Sequence, residues 1–340
     1  MTAHRLPLLL VVPMALFLLG ASVWCLMALW FRMPGPDMLR WTAMAVFAFL
    51  NLAAFMALLN TRHLRPFLVF LVLYALVLGW WSTLRPPTVA DWAPDVAQQV
   101  TGTFDGDLVT LTGVRDFEWT GPYEAQDNWV TRTYDLSQLE SLDLILSYWG
   151  DPKMAHFILS FGFAGGEQLA WSVEVRRTVN GGFSPIADMF RANPLSIIAA
   201  TERDVVGVRT NYRGEDVLLL RLTTDPFSTR DLFEEYVIDA NKLAAKPAWY
   251  NSIKTNCTTV VFNMFDAVGR RIDFDWRIIA NGYLPEYVYD EGVVVTDIPV
   301  SELREQSRIS AKAKAFGLGD GFSQAIREGL PEPVRRTEPK

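Results

Sequence analysis

Cys257 stands in the stretch SIKTNCTTVVF (252–262) and is one of two cysteines in 340 residues. The other, Cys25, lies in an uncharged apolar run, so no disulfide framework is available. The run from Cys257 to Val268, followed by Gly269 as a left-handed cap, predicts a helix with the thiol in its first turn. A cysteine there faces unpaired backbone N–H groups and the positive end of the helix dipole, which favour thiolate. The same groups can hold an oxyanion as a tetrahedral intermediate forms. Asn256 is placed either to cap this helix or to aim its amide at that oxygen. A small buried hydrophobe is the alternative for any free cysteine.

A thiol needs a base, and of three histidines only His156 lies outside the apolar N-terminal part that holds His4 and His63. One thiol and one imidazole are the minimum for a Cys–His nucleophilic site. Residues 156–163 (HFILSFGF) and 168–177 (QLAWSVEVRR) predict a hairpin around Gly165 and Gly166. Matching the apolar faces pairs Phe157 with Val173, Leu159 with Trp171 and Phe161 with Leu169, through the loop Ala164, Gly165 and Gly166. That register sets Glu174 opposite His156 on the polar face, beside Ser160 and Ser172, where a carboxylate can orient an imidazole. A surface glutamate paired with Arg176 or Arg177 is the competing reading.

Other chemistries lack their residues. One histidine and one cysteine cannot make a four-ligand zinc site without several carboxylates, and no CxxC or HExxH spacing occurs. No GxSxG, Walker or GxGxxG pattern occurs either, so neither metal nor cofactor is expected. Gly181 and Gly182 predict a turn, and the adjacent Arg115 and Asp116 a structural ion pair.

The elements that position these residues begin at a membrane. Half of the chain is apolar, and three stretches free of charge (7–31, 41–60 and 66–82) predict transmembrane helices, with Trp80 and Trp81 at an interfacial belt. The first stretch is too long for a signal-peptide core and has no small-residue cleavage site after it. Up to Pro86 the net charge is +5; the whole chain is −7, so the remainder carries −12, which argues against nucleic acid as a partner. Arginines flank both ends of the spans, so charge bias does not set orientation. The chain thus divides into an anchor (1–85), a proline-rich linker (86–100), a domain (101–325) and a charged, loosely packed tail (326–340), the charged character beginning near 300. Within the domain, strands are expected at 108–114, around 115–124 and at 129–136. A leucine-spaced helix capped by Asp135 is expected at 136–149, and a second hairpin from 204–212 and 216–223. A further helix is expected from Ser228. Strands in the middle with helices around them predict an α+β fold with an antiparallel sheet.

The combination VRDFEW, AHFILSFGF, LAWSVEVRR and NSIKTNCTTVVFN, within about residues 100–330, resembles the Lnb N-terminal periplasmic domain family. The resemblance implies a circularly permuted NlpC-type, papain-like fold with His156 as base and Cys257 as nucleophile, and it places Glu174 in a family motif. It also implies a periplasmic domain on an inner-membrane anchor, working on membrane lipid or lipoprotein at the bilayer. The expected activity is acyl transfer from a lipid or lipoprotein ester through a Cys257 thioester to an amine. The alternatives are a cysteine amidase or peptidase acting on cell-wall peptide or exported protein, and a non-catalytic anchored binding protein.

Overall fold

The computed structural model describes residues 5–223, 225–270 and 272–332; His4 and residues 333–340 of the expected tail lie outside them. Contacts divide the chain into two compact units, one reaching to Pro86 and including Ser184–Ala192, the other comprising Pro87–Phe183 and the chain from Asn193 onward.

The first unit holds α1 (Leu8–Arg32), α2 (Asp37–Thr61) and α3 (Leu64–Thr83). With 25, 25 and 20 residues, each is long and apolar enough to cross a hydrocarbon layer of ~30 Å. Side chains such as Leu9, Leu16 and Phe49 stay exposed on these helices, as suits elements surrounded by lipid. A buried Ser22 Oγ donates to Asn51 Oδ1 across α1 and α2 at 3.2 Å, the kind of interhelical bond that fixes packing in an apolar solvent. Phe190 stacks on Phe31 and Arg191 lies over the Trp81 ring within this unit.

The second unit is built on one sheet. Its strands are β1 (Thr101–Asp105), β2 (Leu108–Arg115), β5 (Trp129–Asp135), β6 (Leu139–Tyr148), β7 (His156–Phe163), β8 (Gln168–Val175), β9 (Leu195–Ala200) and β10 (Asp216–Leu222). β3 (Glu118–Trp119) and β4 (Ala125–Gln126) form a separate ribbon. The order is β1-β2-β9-β8-β7-β6-β10, with β5 also paired to β2; only the β2–β9 contact is parallel. Helix α4 (Pro185–Met189) belongs to the first unit, and α5 (Glu202–Val205), α6 (Pro226–Ala245), α7 (Cys257–Ala267), α8 (Leu284–Asp290), α9 (Val300–Gln306), α10 (Ser310–Phe316) and α11 (Phe322–Arg327) to the second. The α+β class is therefore correct.

The sheet is covered on both faces. Phe157, Leu159, Phe161, Leu169, Trp171 and Val173 pack with Phe233, Tyr236 and Val237 of α6 and with Val260, Val261 and Met264 of α7. Ile158, Ala170, Ile145 and Ile198 point the other way, against Val205, Ile309, Ala313, Phe322 and Ile326. The β7–β8 register is the one the apolar pattern dictates: Leu159 pairs with Trp171 and Phe161 with Leu169. Its loop is Ala164, Gly165 and Gly166, and both glycines take positive φ, which L-residues with a side chain resist.

Several expected elements differ. Residues 136–149 are a short 3-10 turn, which Asp135 caps, followed by strand β6 rather than a helix. A central strand buried on both faces loses its period-two alternation, and its leucines then mimic helical spacing. Residues 204–212 are not a strand either. Thr201 accepts from Asp204 N and opens α5, and Val208–Arg213 continues as a π-helix closed by Gly214 in the left-handed region. β10 consequently pairs with β6 instead of with that segment.

The helix expected from Ser228 begins at Pro226, because Asp225 accepts from Ser228 N as its cap. The chain after 300 is packed through α9, α10 and α11, with Leu303, Ile309 and Ile326 buried. The stretch read as a linker also packs: Val96 and Val100 are buried, Arg177 pairs with Asp95, and Arg176 donates to Val96 O and Ala97 O. Arg115 and Asp116 do not pair with each other. Arg115 grips Asp204 with two bonds of 2.8 and 2.9 Å, while Asp116 binds Arg132, Arg203 and Thr201.

Candidate active site

Cys257 is the first residue of α7, and its side chain is half-buried. Asn256 caps the helix: Oδ1 accepts from Thr258 N at 2.9 Å and from Thr259 N at 2.8 Å, and Thr259 Oγ1 accepts from Asn256 N in return. Asn256 Nδ2 donates to Ser252 O at 2.9 Å. Both ends of the amide thus take part in fixing the helix start. The Cys257 backbone N–H, by contrast, has no hydrogen-bond acceptor among the described residues, and it lies next to the sulfur.

β7–β8 pairing stops at Ile158 and Ser172, two residues short of His156 and Glu174. In the opening so formed, the His156 ring and the Phe157 backbone N–H come close enough to Cys257 Sγ to bias it toward thiolate. His156 Nε2 lies 3.0 Å from Glu174 Oε1 and 2.7 Å from Ser172 Oγ, and Ser172 Oγ donates to the same carboxylate oxygen at 2.8 Å. Imidazole, hydroxyl and carboxylate thus form one closed set beside the partly buried Cys257.

Charge within this set is distributed as ion-pair catalysis requires. Burial and, after it, the Arg209 charge oppose an imidazolium at His156, but the Glu174 charge, the hydrogen bond donated to that carboxylate and the neighbouring Cys257 sulfur outweigh them, raising the pKa to about 9. Burial likewise opposes ionisation of Glu174, yet His156, Arg209 and Ser172 hold its pKa well below the ordinary carboxylate range. Burial would raise the Cys257 pKa; the hydrogen bond and charge of His156, with the Phe157 N–H, lower it instead. Both shifts move the pair toward thiolate and imidazolium.

Two residues that the sequence did not single out complete the site. Arg209 Nη2 donates to Glu174 Oε1 at 3.2 Å, and its Nη1 donates to Val205 O at 2.6 Å. It belongs to the π-helical turn, a conformation with no residue pattern of its own. Asn281 ties the parts together: Nδ2 donates to Ala155 O at 2.6 Å and to Thr258 Oγ1 at 2.8 Å, while Oδ1 accepts from Ala155 N at 2.8 Å. Its two amide hydrogens are so engaged that its 3.8 Å approach to Cys257 Sγ is a weak contact. Asn281 therefore locks the start of β7 to the start of α7. Arg176 and Arg177, the rival partners for Glu174, turn instead to the segment around Asp95.

Among the described residues, no group of three or more His, Cys, Asp or Glu side chains is arranged to hold a metal ion. A cleft lined by Asp116, Arg132, Glu167, Arg203 and Ser323 lies by the β7–β8 turn, at the far end of those strands from His156. Asp116 pairs there with Arg132 and Arg203, and Arg132 with Glu167.

Residues 125–282, which contain Cys257, His156, Glu174, Arg209 and Asn281, match the family model of the Lnb N-terminal periplasmic domain. No curated protein and no solved structure matches the chain. With three apolar helices ahead of that domain, this is a membrane protein with a periplasmic C-terminal domain.

Proposed function

From the membership of residues 125–282 in that family, we propose that the protein is an inner-membrane cysteine acyltransferase that takes an acyl chain from a lipid or lipoprotein ester. The observation that carries this reading is a partly buried cysteine at a helix N-terminus, beside an imidazole whose pKa Glu174 raises to about 9.

In the first half-reaction Cys257 thiolate attacks the ester carbonyl carbon, forming the C–S bond and a tetrahedral oxyanion. The Cys257 N–H, lacking another acceptor, is placed to receive that charge. Collapse breaks the ester C–O bond, and the His156 imidazolium gives its proton to the departing alkoxide. In the second half an amine attacks the thioester. Neutral His156 takes the proton lost by the amine, and cleavage of the C–S bond returns the thiolate. Glu174 stays ionised throughout, holding the ring and stabilising its charged form, with Ser172 bridging the two.

The membrane anchor supports a lipid substrate rather than a soluble one. Each acyl methylene contributes ~0.8 kcal/mol to staying in the bilayer, so a long chain is best met at the membrane surface. Cytoplasmic placement of the N-terminus follows from an odd number of spans and an exported domain.

Intact mass measurement of the full chain after incubation with membranes tests this. An acyl-sized adduct that disappears in Cys257→Ala is expected. Absence of any adduct from the native chain, together with release of cleaved peptide from cell-wall material, would replace acyl transfer by hydrolysis.

A further inference from the structure

Three stretches of the second unit converge on the sulfur. Residues 149–154 lead into β7, where Ala155 exchanges two hydrogen bonds with Asn281. Residues 252–256 lead into Cys257 and are held by the Asn256 amide. Residues 273–280 lead to Asn281 through two successive 3-10 turns, and Gly282 N donates to Lys153 O, joining the first and third stretches directly. The approach is close, since a Cβ on Gly282 would stand 2.1 Å from Pro152 O.

These same stretches expose large apolar side chains to a degree unusual for loops around a polar site. Phe274 is 78% exposed, Trp276 57% and Trp149 51%, and Ile253, Met154 and Ile279 are exposed with them. Scattered exposed apolar residues need no explanation, whereas a contiguous set around a catalytic mouth marks a contact surface. The charges in these stretches cancel: Asp151, Asp273 and Asp275 stand against Lys153, Lys254 and Arg277. Contact with a polyanion, or with an acidic or basic protein, would need an imbalance that is not there. The chain itself supplies the apolar partner, because the second unit begins at Pro87, four residues beyond the end of the last span. Over so short a tether the domain never leaves the vicinity of the bilayer.

We infer that Trp149, Met154, Ile253, Phe274, Trp276 and Ile279 form a rim that enters the bilayer surface and delivers an ester carbonyl to Cys257 from the lipid phase. The inference rests on the proposed lipid substrate for its purpose, but the insertion itself is a separate physical claim. Tryptophans at such a rim sit at headgroup depth, with the aliphatic side chains and Phe274 below them. Because the local charge is balanced, the contact is hydrophobic. It persists at high salt and without anionic lipid.

The test uses the full-length chain in nanodiscs of zwitterionic phospholipid carrying a photoreactive diazirine on the acyl chain. Lipid adducts are expected on peptides spanning 149–154, 252–256 and 273–280, besides those on residues 8–83. The double variant Phe274→Ser, Trp276→Ser should lower adducts at the two unmutated stretches about tenfold, with thermal unfolding unchanged. Adducts confined to residues 8–83, or cross-links at the rim to a co-purified protein in place of lipid, overturn the inference. Readout against the Cys257 acyl adduct separates the two claims. Rim adducts without acyl-enzyme leave insertion standing and remove acyl transfer, and acyl-enzyme without rim adducts does the reverse.

Discussion

Two polar clusters lie on one face of the same sheet, four residues apart along β7. At one end His156, Ser172, Glu174 and Arg209 surround the sulfur. At the other, Ser160 donates to Glu202, and Arg327 bridges Glu202 and Asp143, which Arg221 also binds. Both use a serine against a glutamate and an arginine behind it. The Arg327 cluster balances two carboxylates with two guanidiniums that never change charge near neutrality, and Asp143 and Glu202 are sealed from solvent. The His156 cluster adds one group that does titrate and one thiol that is only partly buried. Buried charge alone therefore does not separate the two clusters; a group able to change its protonation beside a partly buried thiol does.

The contrast is broken most severely by removing the titrating group. His156→Ala should lower acyl transfer by ~10²–10⁴-fold while leaving the fold intact. Alkylation of Cys257 at pH 6 should fall with it, because the thiolate loses its counterion; an unchanged pH profile would show the sulfur to be ionised by the helix alone. Arg327→Met makes the opposite kind of variant. It leaves Asp143 and Glu202 short of a partner and should destabilise by ~3–5 kcal/mol in thermal unfolding. The alkylation profile of the folded fraction should not move, and a shift there would couple the two clusters.

Glu174→Gln sharpens the comparison by removing the charge and keeping the shape. The His156 pKa should then drop from about 9 toward the ordinary imidazole value, with transfer reduced ~10–100-fold. Following thiol alkylation against pH in both chains checks this.

In the native chain, transfer should fall as pH rises through about 9, where the imidazolium proton is lost, although alkylation continues. The stability linked to each group follows the same signs. The His156 contribution is fully present below its unfolded pKa of ~6.5 and disappears as pH passes about 9. That of Glu174, whose pKa is depressed, is present above ~4.3 and fades as the solution becomes more acid. Ser160→Ala, the mildest change, should cost about 1–2 kcal/mol in unfolding and nothing in transfer, since it touches only the closed cluster.

Some of this was open to inspection in the residues alone. Uncharged runs of 17 to 25 residues permit little besides a membrane span, so the three helices followed from length and composition. The β7–β8 register followed from matching two apolar faces, and with it the meeting of Glu174 and His156, because a strand's side chains alternate without exception. The thiol's place in a first helical turn followed from a local cap. All three are short-range consequences of sequence order.

What the order of residues left open depended on distant partners. β6 reads as a helix until neighbours cover both of its faces. The stretch after Thr201 reads as a strand until Arg115, from a remote strand, claims Asp204 and a π-turn aims Arg209 at Glu174. Asn281 joins Ala155 to Thr258 across more than a hundred residues in one direction and some twenty in the other. Such contacts carry no periodic trace in the chain, because only closure of the fold brings their members together.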